Sequence, residues 1–150
     1  AARHRGASVV EMLQNCVIFN QGIYSFVSDR ELRPDHTIHL RHGEKMLFGK
    51  EMNKGLVQDG FLLKAVTIGE DGYTIDDVLT HDAHCQSNFL HQQLAMMDGK
   101  SLPLAIGVIR DVEAPVYEEE VDKQTHNVGE RKHFGSLRDM IMAGETWEVK

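Results

Sequence analysis

The chain has 150 residues, 41% of them apolar, enough to bury a core, and one domain is the default count at this length. Its formal charge of −7, from 23 acidic against 16 basic residues, argues against a nucleic-acid surface, which draws on clustered Lys and Arg. No apolar stretch approaches the roughly 18 residues of a membrane span, and two cysteines, Cys16 and Cys85, make no disulfide framework, so a reduced cytoplasmic setting is expected.

The opening residues, Ala1 to Gly6, lead into no signal-type apolar segment. They read as the tail of a helix stopped by Gly6, as though the chain were the back part of a longer polypeptide. Val9, Val10, Met12 and Leu13 then form a short apolar run, expected as a buried strand over 7–13 that ends on Gln14-Asn15. Cys16 follows just past that strand end, where open α/β sheets keep their ligand crevices. Taken alone, the thiol has two readings: a group placed for chemistry, or a small buried apolar side chain, since free Cys is among the most buried residue types.

Residues 23–27 suit one helical turn or a short strand, and Pro34-Asp35 marks a turn. Residues 37–40 and 45–49 read as the two strands of a hairpin around Arg41-His42-Gly43-Glu44. Residues 50–60 read as a polar loop punctuated by Lys54-Gly55 and Asp59-Gly60, and 61–68 as a strand closed by Gly69-Glu70-Asp71-Gly72. Thr74, with Asp76 and Asp77 behind it, resembles the cap of a short helix through Leu79.

Leu90, Leu94 and Met97 share one helix face over 87–97, ended by Asp98-Gly99, and 104–109 is a last strand. Pro115 suits a first helical position, with Glu118, Glu119 and Glu120 complementing a helix that runs towards Thr125. Residues 126–135 read as a mobile connector. Ser136 caps a final helix stopped by Gly144, and Trp147 with Val149 makes an apolar tail that docks against something. Short strands between helices over 23–150 suggest an α+β appendage on the end of an α/β sheet.

Three constellations invite chemistry. His81, His84 and Cys85, with His91, offer zinc-type ligands, set against a solvated helix-cap region that lacks a Cys-x-x-Cys partner. Lys45, Lys50 and Lys54 lie on or beside one loop and could meet an anionic group such as a 2-oxoacid carboxylate or a coenzyme A phosphate, although loop lysines are usually only solvated. Asp59-Gly60 with Asn88 loosely mimics a magnesium–diphosphate motif, but Gln58 stands where that motif has glycine and the pair suits a turn better. Met96, Met97, Met140 and Met142 read as packing residues.

A resemblance changes the weight on Cys16. Gly6-Ala7-Ser8-Val9-Val10-Glu11, Gln14-Asn15-Cys16-Val17-Ile18-Phe19-Asn20, Leu47-Phe48-Gly49-Lys50 with Asn53-Lys54-Gly55, and the terminal Thr146-Trp147-Glu148-Val149 together look like the C-terminal part of the beta subunit of 2-oxoacid:ferredoxin oxidoreductases. The match closely resembles the 2-oxoglutarate branch and diverges most over 81–95, where it covers only His81-Asp82. It implies that residues 1–22 end a thiamine diphosphate-binding α/β domain, its terminal parallel strand included, and that 23–150 form a C-terminal α+β domain. It implies a complex that decarboxylates a 2-oxoacid, passes electrons to ferredoxin and releases an acyl-coenzyme A, with an alpha subunit as partner. The cofactors so implied are thiamine diphosphate, Mg2+ and a [4Fe–4S] cluster, with Cys16 as a cluster ligand and the thiamine motif outside this chain. The fragment alone is then expected to be inactive. A rival reading is a non-catalytic α+β module that docks its apolar tail on a partner subunit.

Overall fold

The computed structural model describes residues 1–131, 134–145, 147 and 149. The chain divides into two compact units, Glu11–Val112 and a second made of Ala1–Val10 with Glu113–Lys150. Helices combine with a parallel strand pair and an antiparallel sheet, the α/β character expected. No helix among the described residues is long and apolar enough to cross a membrane.

The larger unit opens with two single-turn helices, α1 (Ser25–Ser28) and α2 (Arg33–His36). Pro34 does not break the chain into a simple turn; it sits at the start of α2, where its missing N–H costs nothing. Strand β1 (Thr37–Leu40) follows, then β2 (Leu47–Phe48), β3 (Lys54–Asp59) and β4 (Leu62–Thr67), which form an antiparallel meander. A 3-10 turn (Ile75–Asp77), helix α3 (Phe89–Ala95) and strand β5 (Leu104–Gly107) complete it.

The expected hairpin between 37–40 and 45–49 does not form. β1 pairs instead in parallel with β5, in the register Ile38 to Ala105 and Leu40 to Gly107. Segment 43–46 is committed elsewhere: Gly43 N–H donates to the His81 carbonyl (2.8 Å), His81 N–H to that of Glu44 (2.9 Å) and Met46 N–H to that of Leu79 (2.8 Å). Ile38 and Leu40 are buried, and their strand finds its ladder partner in a segment more than sixty residues away.

The polar loop expected over 50–60 is instead largely β3, the middle strand of the meander. Gly55, Leu56 and Val57 are buried within it. A Cβ on Gly55 would lie 2.5 Å from Val78, so the glycine lets the 3-10 segment close on the strand. β3 and β4 are joined by the two-residue loop Gly60-Phe61, with Gly60 at φ +61°, the left-handed conformation that primed hairpin turns need. Lys54-Gly55 and Asp59-Gly60 suggested loop because turn residues at both ends of a short strand mask its apolar middle.

Ile38, Leu40, Met46, Phe48, Leu56, Leu94 and Met97 form one core shared by both sheets and α3. Leu94 is buried on α3 and Met97 is buried just beyond its end, since the helix expected over 87–97 spans only Phe89–Ala95, whereas Met96, Met140 and Met142 are exposed. At the 3-10 turn, Asp77 Oδ2 accepts from the Thr74 N–H (2.7 Å) and hydroxyl (2.8 Å), which holds the Asp77 carboxyl below its usual range.

In the smaller unit, α4 (Tyr117–Arg131) starts two residues after Pro115 and continues past Thr125 to Arg131, over the first six residues of the expected connector. Glu120–Lys123 (2.6 Å) and His126–Glu130 (3.2 Å) pairs line it, and such pairs help offset the helix cost of Gly129, about 1 kcal/mol. Arg5 pairs with Glu119, as the acidic first turn invites. Helix α5 (Leu137–Met142) is capped as expected, Ser136 Oγ accepting from Asp139 N–H at 3.2 Å. Residues 7–13 carry no strand, and among the described residues none pairs with them. A strand meant to be buried on both faces has no ladder or cover here, and Val9, Val10 and Met12 are exposed.

Leu56→Ala, at a site with 0% exposure, is expected to cost about 2–5 kcal/mol, and Gly55→Ala about 1–3 kcal/mol by driving a methyl into Val78. Urea unfolding followed by circular dichroism measures both, and unchanged midpoints would contradict this packing.

A candidate cluster-ligand loop around Cys16

The loop that carries Cys16 is built by local hydrogen bonds. Asn20 N–H donates to the Cys16 carbonyl (3.0 Å), and Asn15 Oδ1 accepts from Gly22 N–H (3.0 Å), closing residues 15–22 on themselves. Short polar side chains of this kind stabilise turns by bonding nearby backbone. The result is a cradle of amides on the sulfur: the N–H groups of Phe19, then Ile18, then Asn20 donate to the thiol and hold its pKa below the usual cysteine value. Hydrogen bonds to the charged form favour it, so the Cys16 pKa is displaced towards the thiolate, the form that attacks electrophiles and ligates metals.

Cys16 is exposed, not the buried apolar side chain of the alternative reading. Val17, Ile18 and Phe19 are exposed too, so the apolar groups next to the sulfur have no protein cover within the described residues. A cavity of about 470 Å³, lined by Leu13, Asn15, Tyr24, Val27 and Arg33 among others, borders the loop through Asn15. The amide donors were not legible in the sequence, since every residue type but proline supplies the same N–H; only the turn formers Asn15, Asn20 and Gly22 hinted at a closed loop.

The lysines expected to meet an anion are engaged within the chain. Lys45 Nζ donates to the carbonyls of Val78 (2.6 Å) and Asp76 (3.2 Å), Lys50 pairs with Glu31 (2.7 Å) and Lys54 with Asp35 (2.7 Å). The Lys54 ammonium holds the Asp35 carboxyl below its usual range. The family-like block Leu47-Phe48-Gly49-Lys50 and Asn53-Lys54-Gly55 therefore forms β2, the following turn and the start of β3, and its lysines brace that turn against residues 31–35.

The zinc candidates do not converge. His81 and His91 turn inward, their Nε2 atoms 2.9 Å from the Val108 carbonyl and 2.8 Å from that of Asp82. His84 points elsewhere, with Nδ1 at 2.6 Å from the Asp111 carbonyl, and Cys85 is exposed. Among the described residues no group of three His, Cys, Asp or Glu side chains could hold a metal ion. Asp59-Gly60 closes the β3–β4 hairpin, and Asn88 precedes α3. Trp147 and Val149 are exposed, while Thr146 and Glu148 of the terminal block lie outside the described residues.

The lowered Cys16 pKa has a kinetic consequence. A lowered pKa displaces the alkylation rate–pH curve of Cys16 to lower pH than that of a free cysteine. Phe19→Pro removes the first of the amide donors, so the curve should move back up. Mass-spectrometric timing of iodoacetamide labelling across pH reads both effects, and a Cys16 curve that coincides with that of free cysteine would remove the amide cradle from consideration.

No protein-family model matches the chain, and no solved structure matches it significantly. Over 99% of its length the chain is similar to the 2-oxoglutarate oxidoreductase subunit KorB of Mycobacterium tuberculosis, with 29% identity over 152 residues. It spans 40% of that relative's length. The beta-subunit resemblance carried by the Cys16 block and its companions is therefore borne out: this chain is similar, nearly end to end, to part of a 2-oxoglutarate oxidoreductase subunit.

Proposed function

We propose that this chain is the C-terminal part of the beta subunit of a 2-oxoacid:ferredoxin oxidoreductase, with 2-oxoglutarate as substrate, acting in the cytoplasm. The observation that carries the proposal is the similarity to the KorB subunit along 99% of the chain. In this reading residues 1–22 end the thiamine diphosphate-binding domain and 23–150 form the C-terminal domain. The complete enzyme converts a 2-oxoacid and coenzyme A to an acyl-coenzyme A and CO2 while reducing ferredoxin, in partnership with an alpha subunit.

Within this chain Cys16 would hold one corner of a [4Fe–4S] cluster. The donor chemistry fits: a thiolate ligand is required, and the Cys16 sulfur is exposed and stabilised as thiolate by the amides of residues 18–20. A cluster held there supplies one-electron transfer. The chain's own contribution is to fix the sulfur on a closed loop, to direct N–H groups at it and so favour the more electron-rich state, and to present Val17, Ile18 and Phe19 as apolar cover once neighbouring chain packs on them. Thiamine diphosphate and Mg2+ find no matching motif here, because Asp59-Gly60 is a hairpin turn; their binding belongs to another part of the enzyme, and the fragment alone is inactive.

In the complete enzyme, Cys16→Ser should lower the iron content and alter the cluster EPR signal, while Cys85→Ser leaves both unchanged. Full iron occupancy with an unaltered spectrum in Cys16→Ser would overturn the ligand assignment. The exposed Trp147 is the kind of aromatic anchor that subunit interfaces use. Deletion of residues 145–150 should therefore weaken co-purification with the alpha subunit, and undiminished complex formation would remove the tail from that interface.

A further inference from the structure

His42 and His84 are brought together by the fold with ring centres 4.4 Å apart and planes inclined at 55°. In each ring one nitrogen faces an oxygen atom of the chain. His84 Nδ1 lies 2.6 Å from the Asp111 carbonyl oxygen, which only accepts, so Nδ1 carries the hydrogen and Nε2 keeps its lone pair. His42 Nδ1 lies 3.3 Å from Asp82 Oδ1, which places a carboxylate beside that ring nitrogen. Asp82 is itself fixed, because that oxygen also accepts from the His84 backbone N–H at 3.0 Å. Asp111 is fixed in turn by its N–H on the Ala83 carbonyl at 2.8 Å. Both imidazoles are exposed at the surface.

We propose that His42 and His84 form a surface site for a divalent transition-metal ion of the Cu2+, Ni2+ or Zn2+ class, bound through the two Nε2 atoms with water at the remaining positions. Metal-ligating histidines characteristically place their other ring N–H on a carboxylate or a backbone carbonyl, which orients the ring and raises the basicity of the ligand nitrogen. Here Asp82 supplies the carboxylate and Asp111 the carbonyl. Metal–nitrogen bonds of 2.0–2.1 Å put the centres of two imidazoles on one tetrahedral ion roughly 5 Å apart, close to the 4.4 Å of the observed pair. Imidazole suits these metals rather than Mg2+ or Ca2+. His81 and His91 are excluded because they are buried with their Nε2 atoms on carbonyls, and Arg110 Nη1 lies 3.2 Å from His91 Nδ1. With two protein ligands the ion is exchangeable and open to a further donor.

The full chain, its thiols alkylated so that Cys16 and Cys85 do not compete, is titrated with Cu2+ alone and followed by EPR and electron spin-echo modulation. The expected result is one ion per chain carrying the modulation of two imidazole nitrogens. His42→Ala and His84→Ala should each weaken binding by at least about tenfold and leave at most one imidazole, whereas His39→Ala, on the exposed side of β1, changes nothing. A wild-type spectrum with one imidazole or none overturns the proposal without reference to any variant. Undiminished two-nitrogen binding in either site variant, with native circular dichroism, overturns it as well.

Discussion

Three backbone hydrogen bonds run in a ring at the centre of the larger unit: Met46 N–H to the Leu79 carbonyl (2.8 Å), Leu79 N–H to that of Leu56 (2.9 Å) and Leu56 N–H to that of Met46 (3.1 Å). They tie three segments far apart in sequence, and they are surrounded by Met46, Leu56 and Val78, all almost fully buried. Buried amides and carbonyls without partners are costly, so the ring and the apolar side chains stabilise each other. Gly55 allows this closeness, since any side chain there would occupy the space that Val78 fills.

The ring also positions what lies beyond it. Once Met46 and Leu79 are joined, the neighbouring bonds between Gly43, Glu44 and His81 continue the pairing outward, which turns His81 into the core and leaves His42 and His84 at the surface on either side of Asp82. The two outward histidines are thus a by-product of how the core closes. Neither their spacing in the chain nor their neighbours announce the pair.

The Cys16 loop is held quite differently. It relies on bonds between residues only a few positions apart and buries little, and its three apolar residues face outward. Such a segment opens more cheaply than the core does. The backbone amides of Phe19, Ile18 and Asn20 nonetheless lower the pKa of the sulfur from within the loop itself.

Features that depend on neighbours a few residues apart were legible in the sequence. Leu90 and Leu94 share a helix face because the helical repeat dictates it; Ser136 caps α5 and Thr74 meets Asp77 because their hydrogen bonds are short in sequence; 62–67 is a strand because branched residues favour the pleat. The Cys16 block was legible as a resemblance, though not the amides that act on its sulfur. What only the tertiary structure decided was long-range: β1 joined β5 rather than the segment beside it, Gly55 to Val57 became a central strand despite the turn residues flanking them, and Lys50 and Lys54 were taken up by Glu31 and Asp35. The reason is physical. Local propensity is a sum over near neighbours, whereas strand partners and ion pairs are selected by which apolar surfaces the whole chain buries together, and that selection is written in no single stretch of residues.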